Sequence, residues 1–121
     1  MTIRWGVVGP GRIAKTFATA MQDNQVGEIV AVASSSSERA RLFAEEFAVE
    51  SQFTDYDELF QCESIDAVYI ATTHNFHFEL ALKAIEQGKH LLIEKPIAIN
   101  QQQAQTIFTA AKAKKEFVME A

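Results

Sequence analysis

Cysteine is nearly missing from this chain: Cys62 is the only one in 121 residues. A single thiol excludes both an intrachain disulfide framework and a cysteine-built zinc site. Proline is scarce too, at Pro10 and Pro96 alone, so periodic segments run uninterrupted and the two prolines mark turns. The histidines number 3, and the His-x-x-His pair of His74 and His77 has no compelling third ligand close by, whereas zinc needs at least three protein ligands. No metal is expected. Positive charge is also in deficit. Against 16 acidic residues stand 11 basic ones, for a net charge of -5, which disfavours nucleic acid and membrane surfaces because both are recognised by concentrated positive charge. No apolar run approaches the ~20 residues of a membrane span. Met1 to Trp5 lack the charged and apolar regions of a secretory signal, and the expected location is the cytoplasm.

What is present is core-forming material: 48% apolar residues, 9 of them Phe, enough for one domain that buries roughly two thirds of its unfolded surface. Strand-like segments alternate with helical ones. The strands read Ile3 to Val8, Glu28 to Ala33, a short piece near Phe53, Ala67 to Ile70, Leu91 to Ile93 and Phe117 to Met119. Between them, Ile13, Phe17, Ala20 and Met21 share one helical face, as do Ala40, Phe43, Ala44 and Phe47, and later Ala104, Ile107, Phe108 and Ala111. Ser35 with Glu38, Asp55 with Glu58 and Asn100 with Gln103 have capping-box spacing, and Gly88 suits the end of the helical run from Phe76 to Gln87. This order is that of an α/β protein: a doubly wound six-stranded parallel sheet with helices on both faces, functional residues lying just after strands.

Three post-strand segments carry chemistry. The first strand runs into Gly9-Pro10-Gly11-Arg12-Ile13-Ala14, a match to G-x-G-x-x-G/A that opens an amphipathic helix. Gly9 makes the tight turn, Gly11 admits a pyrophosphate to the backbone, and helix-start amides at Arg12 and Ile13 face the phosphates. The second strand ends in Ser34, Ser35, Ser36 and Ser37, with Arg39 beyond. No carboxylate stands where an NAD-restricted site places one for the ribose hydroxyls, so NADP is favoured slightly over NAD, Ser34, Ser35, Arg39 and Arg12 being the candidate contacts. The third group is Thr72, His74 and His77 after the fourth strand, and Glu94, Lys95 and Pro96 after the fifth. For the histidines, helix-start hydrogen bonding and cofactor contact both remain open. Glu94-Lys95-Pro96 reads equally as a polar strand end with a stiff turn.

Gly-Pro-Gly-Arg-Ile-Ala, Ala31-Val32-Ala33-Ser34 with Glu38-Arg39-Ala40, Thr72 with His77, and Gly88-Lys89-His90 before Glu94-Lys95-Pro96 together resemble the glucose-fructose oxidoreductase and inositol dehydrogenase family, Gfo/Idh/MocA. Arg4-Trp5-Gly6, the segment from Thr72 to His77, and Phe117 to Ala121 look most like its dimeric dihydrodiol dehydrogenase and NADP-dependent D-xylose dehydrogenase branch. The resemblance implies an NAD(P)-binding Rossmann domain over residues 1–121 and hydride transfer to or from a carbinol carbon of a sugar, polyol or diol. It implies that Lys95 is catalytic, reaching the substrate oxygen, that Glu94 positions it, and that Pro96 fixes a turn which is cis in some relatives. Thr72, His74 and His77 line the nicotinamide side. Family members continue into a second, substrate-binding domain absent from this chain and are often oligomers, so the 121 residues alone are expected to bind cofactor with little turnover. Ser35 stands where many NADP-using relatives carry arginine, and Thr73 where many carry proline. The competing function is a non-catalytic nucleotide-binding or redox-sensing module, which has no need of Lys95.

Overall fold

A computed structural model describes residues 2–25, 27–73 and 76–121. Strands and helices alternate: β1 (Ile3–Val8), α1 (Arg12–Asn24), β2 (Gly27–Ala33), α2 (Ser37–Phe47), β3 (Ser51–Phe53), α3 (Tyr56–Phe60), β4 (Ala67–Ile70), α4 (His77–Glu86), β5 (His90–Ile93), α5 (Gln101–Lys114) and β6 (Val118–Glu120). The strands form one sheet in the order β3-β2-β1-β4-β5-β6, every pairing parallel. This is the doubly wound Rossmann order, in which the direction of winding reverses between β1 and β4 and opens a crevice at their carboxyl ends.

Each face of the sheet has its own core. Val7, Val32 and Tyr69 pack with Ala14 and Ala18 of α1 and Phe43 and Phe47 of α2. Val8, Val68, Ile70 and Ile93 pack on the other face with Leu59, Leu80, Ile85 and Ile107 from α3, α4 and α5. Among the described residues no helix is long and apolar enough to cross a membrane.

Strand boundaries agree with the sequence to within about a residue at most ends, and Phe17, Met21, Ala104, Ile107 and Ala111 lie on the core side as expected, but three residues of the expected faces of α1 and α5 do not. In α1 the buried residues are Ala14, Ala18 and Met21, while Ile13 is 45% exposed and Ala20 lies at the surface. Small residues spaced four apart let the helix approach the sheet closely, and that requirement outweighs burial of the larger Ile13. In α5 only Ile107 and Ala111 are buried. Phe108 is exposed because α5 covers the margin of the sheet beside α4, where only one apolar row finds cover.

Capping is right at α3, where the Asp55 carboxylate accepts the Asp57 amide, and at α5, where Asn100 accepts the Gln103 amide at 2.8 Å. At α2 the cap is Ser36, whose hydroxyl accepts from the Arg39 amide, not Ser35. The Ser34 amide still donates to Phe53 O, so strand pairing continues past Ala33 and pushes the helix start one residue on.

At the opposite, amino-terminal edge, Arg4 grips the Asp66 carboxylate through its amide, Nε and Nη2. Hydrogen bonds from the Arg4 side chain and then its backbone hold that carboxyl below the usual aspartate range. A lowered folded value favours the ionised form, so this stabilisation is complete above the ordinary aspartate range and disappears as pH falls through the lowered value. Acid denaturation of Asp66→Asn should accordingly lack a component that the parent chain shows below about pH 4; superimposable acid limbs would contradict it. Nearby, the buried Lys89 ammonium donates to Cys62 O and Ile65 O, each at 2.7 Å, closing the turn after α3. Burial pulls Lys89 below its ordinary value, while the two carbonyls give its charged form the partners that burial demands.

Candidate cofactor-binding and catalytic site

The crevice is lined by the loops that leave β1, β2, β4 and β5. Gly9 has φ +88°, and its amide donates to Ala33 O, so the chain turns sharply where β1 ends. A Cβ at Gly9 would lie 2.9 Å from both the Thr72 backbone nitrogen and Thr72 Cγ2. The β1 and β4 loops therefore touch with no room for a side chain. Gly11 differs: a Cβ there would meet nothing within 4 Å, so its lack of a side chain leaves space without serving a protein contact.

Gly11 is the N-cap of α1, with no side-chain cap and no acidic residue in the first turn. The amides of Arg12, Ile13 and Ala14 consequently lack intrahelical acceptors at the positive end of the helix dipole. Beside them lies an open groove of about 430 Å³ lined by Gly11, Arg12, Lys15, Arg39, Leu42 and Phe43. Lys15 is paired with Glu46 at 3.4 Å. Neither Arg12 nor Arg39 has an ion-pair partner among the described residues. This acidic chain thus concentrates cations at the one helix start that the glycine pattern marked.

At the tip of β2, Ser34 is buried and its hydroxyl accepts the Ser36 amide. Ser36 is used in capping, Ser35 is exposed, and Arg39 is exposed on the lining of the groove. At the tip of β4, Thr72 Oγ1 is a buried polar atom with no partner among the described residues. An uncompensated buried hydroxyl is costly, and the residue that carries it borders Gly9 through its amide nitrogen and Cγ2. The orphaned hydroxyl, the open space over Gly11 and the unpaired amides of α1 all suit a dinucleotide, whose phosphates and polar groups supply the missing partners.

His74 lies outside the described residues. His77 is 1% exposed, its Nδ1 is 2.8 Å from Pro96 O and its Nε2 2.9 Å from Thr72 O. Expected to line the nicotinamide side, it is buried beneath the two loops with one ring nitrogen facing a backbone carbonyl of each; a neutral imidazole donates to only one of the two. Among the described residues no group of three His, Cys, Asp or Glu side chains is placed to hold a metal ion.

After β5 the chain bends through Glu94, Lys95 and Pro96, with a cis peptide bond between Lys95 and Pro96. Glu94 N–H donates to Ile70 O, and Tyr69 donates its hydroxyl to Glu94 Oε2 at 2.7 Å. Burial, then the hydrogen bond to Glu94, push the Tyr69 phenol well above its ordinary value, so it remains a donor. Ile97 N–H donates to Glu120 Oε2 at 2.9 Å. Lys95 is exposed and makes no side-chain hydrogen bond or salt bridge among the described residues. Sequence reasoning missed Tyr69, Lys15 and Glu120. Lys15 was discoverable, three residues after Arg12 on one helix, and a phenol within the buried run Ala67–Ile70 signals a need for a partner; nothing local identifies Glu94 as that partner.

A Rossmann sheet with a glycine turn at its switch point, a cationic groove at the first helix and an unmet hydroxyl beside it defines a dinucleotide-binding domain. The family model described as "Oxidoreductase family, NAD-binding Rossmann fold" matches residues 3–121, and the chain belongs to that family, Gfo/Idh/MocA. It is 39% identical to a D-xylose 1-dehydrogenase (NADP(+)) of Hypocrea jecorina over 99% of this chain and 34% of that protein. A trans-1,2-dihydrobenzene-1,2-diol dehydrogenase of Xenopus laevis is 34% identical over 100% of this chain and 37% of its own length. Among solved structures, a 3-ketoreductase from Actinomadura kijaniata in complex with NADP and TDP-benzene superimposes with a TM-score of 0.94 at 33% identity, over 99% of this chain and 37% of that one. The chain thus spans about a third of the length of these relatives.

Proposed function

We propose that this chain is the cofactor-binding domain of an oxidoreductase that moves hydride between NAD(P) and a carbinol carbon of a sugar, polyol or diol, with the substrate pocket completed by a second domain. The observation that carries this reading is the place of Lys95, exposed at the carboxyl end of β5 on a loop whose neighbouring residues are all tied down. The relatives' printed activities, D-xylose and dihydrodiol dehydrogenation, support the substrate class.

Gly9, Gly11 and the first turn of α1 would hold the pyrophosphate, and Thr72 Oγ1 would bond the cofactor on the β4 side. Bound there, the nicotinamide supplies a two-electron hydride acceptor or donor. The chain's own part is acid–base and electrostatic: in oxidation Lys95, as the free amine, would take the substrate hydroxyl proton as the carbinol hydride leaves for the nicotinamide, and in reduction, as the ammonium, it would stabilise the developing alkoxide and give that proton back.

NADP is the favoured dinucleotide. Arg12 and Arg39 flank the groove, and the tip of β2 offers Ser35 and no carboxylate. Calorimetric titration should show NADPH binding more tightly than NADH, with Arg39→Ala weakening NADPH by roughly 5- to 10-fold, as expected for loss of one partly exposed charge-assisted contact, and sparing NADH. Equal affinities, or a preference for NADH, would remove the assignment.

A further inference from the structure

We infer that Tyr69 and Glu120 are positioning residues for Lys95, holding the loop that carries it from opposite sides and acting through its neighbours. The inference rests on the reading of Lys95 given above, and it concerns residues that touch neither substrate nor cofactor in that reading.

The loop from Glu94 to Ile97 has little regular structure of its own; the last bond between β5 and β4 is that of the Glu94 amide to Ile70 O. Three side chains from other elements replace the lost ladder. Tyr69 of β4 bonds the Glu94 carboxylate, His77 of α4 faces Pro96 O, and Glu120 of β6 accepts the Ile97 amide. The residues on both sides of Lys95 are therefore fixed and Lys95 is not, which is what a side chain that must meet an incoming oxygen needs from its support.

Tyr69 is set to be a rigid post. It is 2% exposed, and its ring stacks on Phe17 of α1 with centroids 4.3 Å apart; Phe17 in turn packs edge-on against Trp5 of β1. Tyr69 and Glu94 stand diagonally across the β4–β5 pair on the face that carries α1. The helix that opens the glycine loop is thereby coupled to the loop bearing Lys95 through one aromatic contact and one hydrogen bond. On the other side, Glu120 is otherwise an exposed residue of the sheet's terminal strand. Its backbone neighbour supports the same corner, since Ala121 N–H donates to Ile93 O. A carboxylate that accepts a backbone amide makes a stronger bond than a neutral acceptor does.

The test uses the longest polypeptide that the reading frame encodes, with Tyr69→Phe, Glu120→Ala and Glu120→Gln beside Lys95→Met. Tyr69→Phe keeps the ring stack and removes the hydroxyl; Glu120→Gln keeps an acceptor oxygen. The expected result is a fall in kcat of about 10-fold for Tyr69→Phe and for Glu120→Ala, dinucleotide affinity within about threefold of the parent, and recovery of most of the loss in Glu120→Gln. Amide exchange measured on the 121-residue chain adds a readout independent of turnover: the Ile97 amide should exchange at least about 10-fold faster in Glu120→Ala while core amides of β4 keep their protection. Unchanged kcat in both variants beside an inactive Lys95→Met overturns the inference. So does unchanged exchange at Ile97, or a loss of activity that merely follows a loss of folded protein. An active Lys95→Met overturns the underlying reading instead, and the two failures are separate.

Discussion

Replacing Lys95 with methionine should lower kcat/KM for hydride transfer by at least ~100-fold, the scale of a lost proton-transfer or charge-stabilising group, with dinucleotide affinity within about threefold of the parent. Methionine keeps most of the stem and removes the ammonium. Because Lys95 is exposed and unbonded among the described residues, its replacement breaks no contact of the fold, and melting temperature should not move. That combination separates chemistry from structure. Turnover at the parental rate would favour the alternative of a nucleotide-binding module without catalysis, and a matching loss of cofactor affinity would make Lys95 a binding residue. The measurement is steady-state kinetics on the longest encoded polypeptide, together with calorimetric titration of the dinucleotide.

The second large effect is expected to separate two glycines that look alike in the motif. Gly9→Ala should destabilise the fold, because a side chain at φ +88° costs roughly 1–3 kcal/mol in backbone strain alone. The clash at 2.9 Å with Thr72 N adds to that cost, since the obstacle is backbone of the neighbouring strand end. Gly11→Ala should leave the melting temperature within a few degrees: its new methyl group enters open space, and the change at an N-cap is worth about 1 kcal/mol or less. Yet the same methyl should weaken dinucleotide binding by at least about 10-fold, because it occupies the approach to the helix-start amides. Thermal denaturation and cofactor titration of both variants decide it. Equal destabilisation by the two, or full cofactor affinity in Gly11→Ala, would refute the assigned roles.

Much of the site was legible because its chemistry is local. The turn at Gly9, the helix opening at Arg12 and the bend at Pro96 are each encoded within a few residues, and a glycine or proline acts through its own backbone. The choice between Ser35 and Ser36 as helix cap was not local. Four adjacent serines are equivalent as caps, and the bond of the Ser34 amide to Phe53 O on β3 selects among them. His77 was legible as a candidate site residue but not as one buried beneath the crevice, since the two carbonyls its ring nitrogens face, Thr72 O and Pro96 O, belong to loops that only sheet formation brings together.

The sequence by itself determined the alternating α/β order, the parallel sheet, the glycine turn and the identity of the residues that follow each strand, because hydrophobic period and turn chemistry are properties of neighbours along the chain. Tertiary structure decided which of those residues face the crevice and which hold it up. It turned Ile13 outward, gathered Arg12, Lys15 and Arg39 round one groove, left Thr72 Oγ1 without a partner and set Tyr69, His77 and Glu120 about Lys95. The hydrogen bonds about that loop join residues 19 to 25 apart in sequence, a separation over which no local pattern carries information; the register of the strands and the seating of α4 set who meets whom.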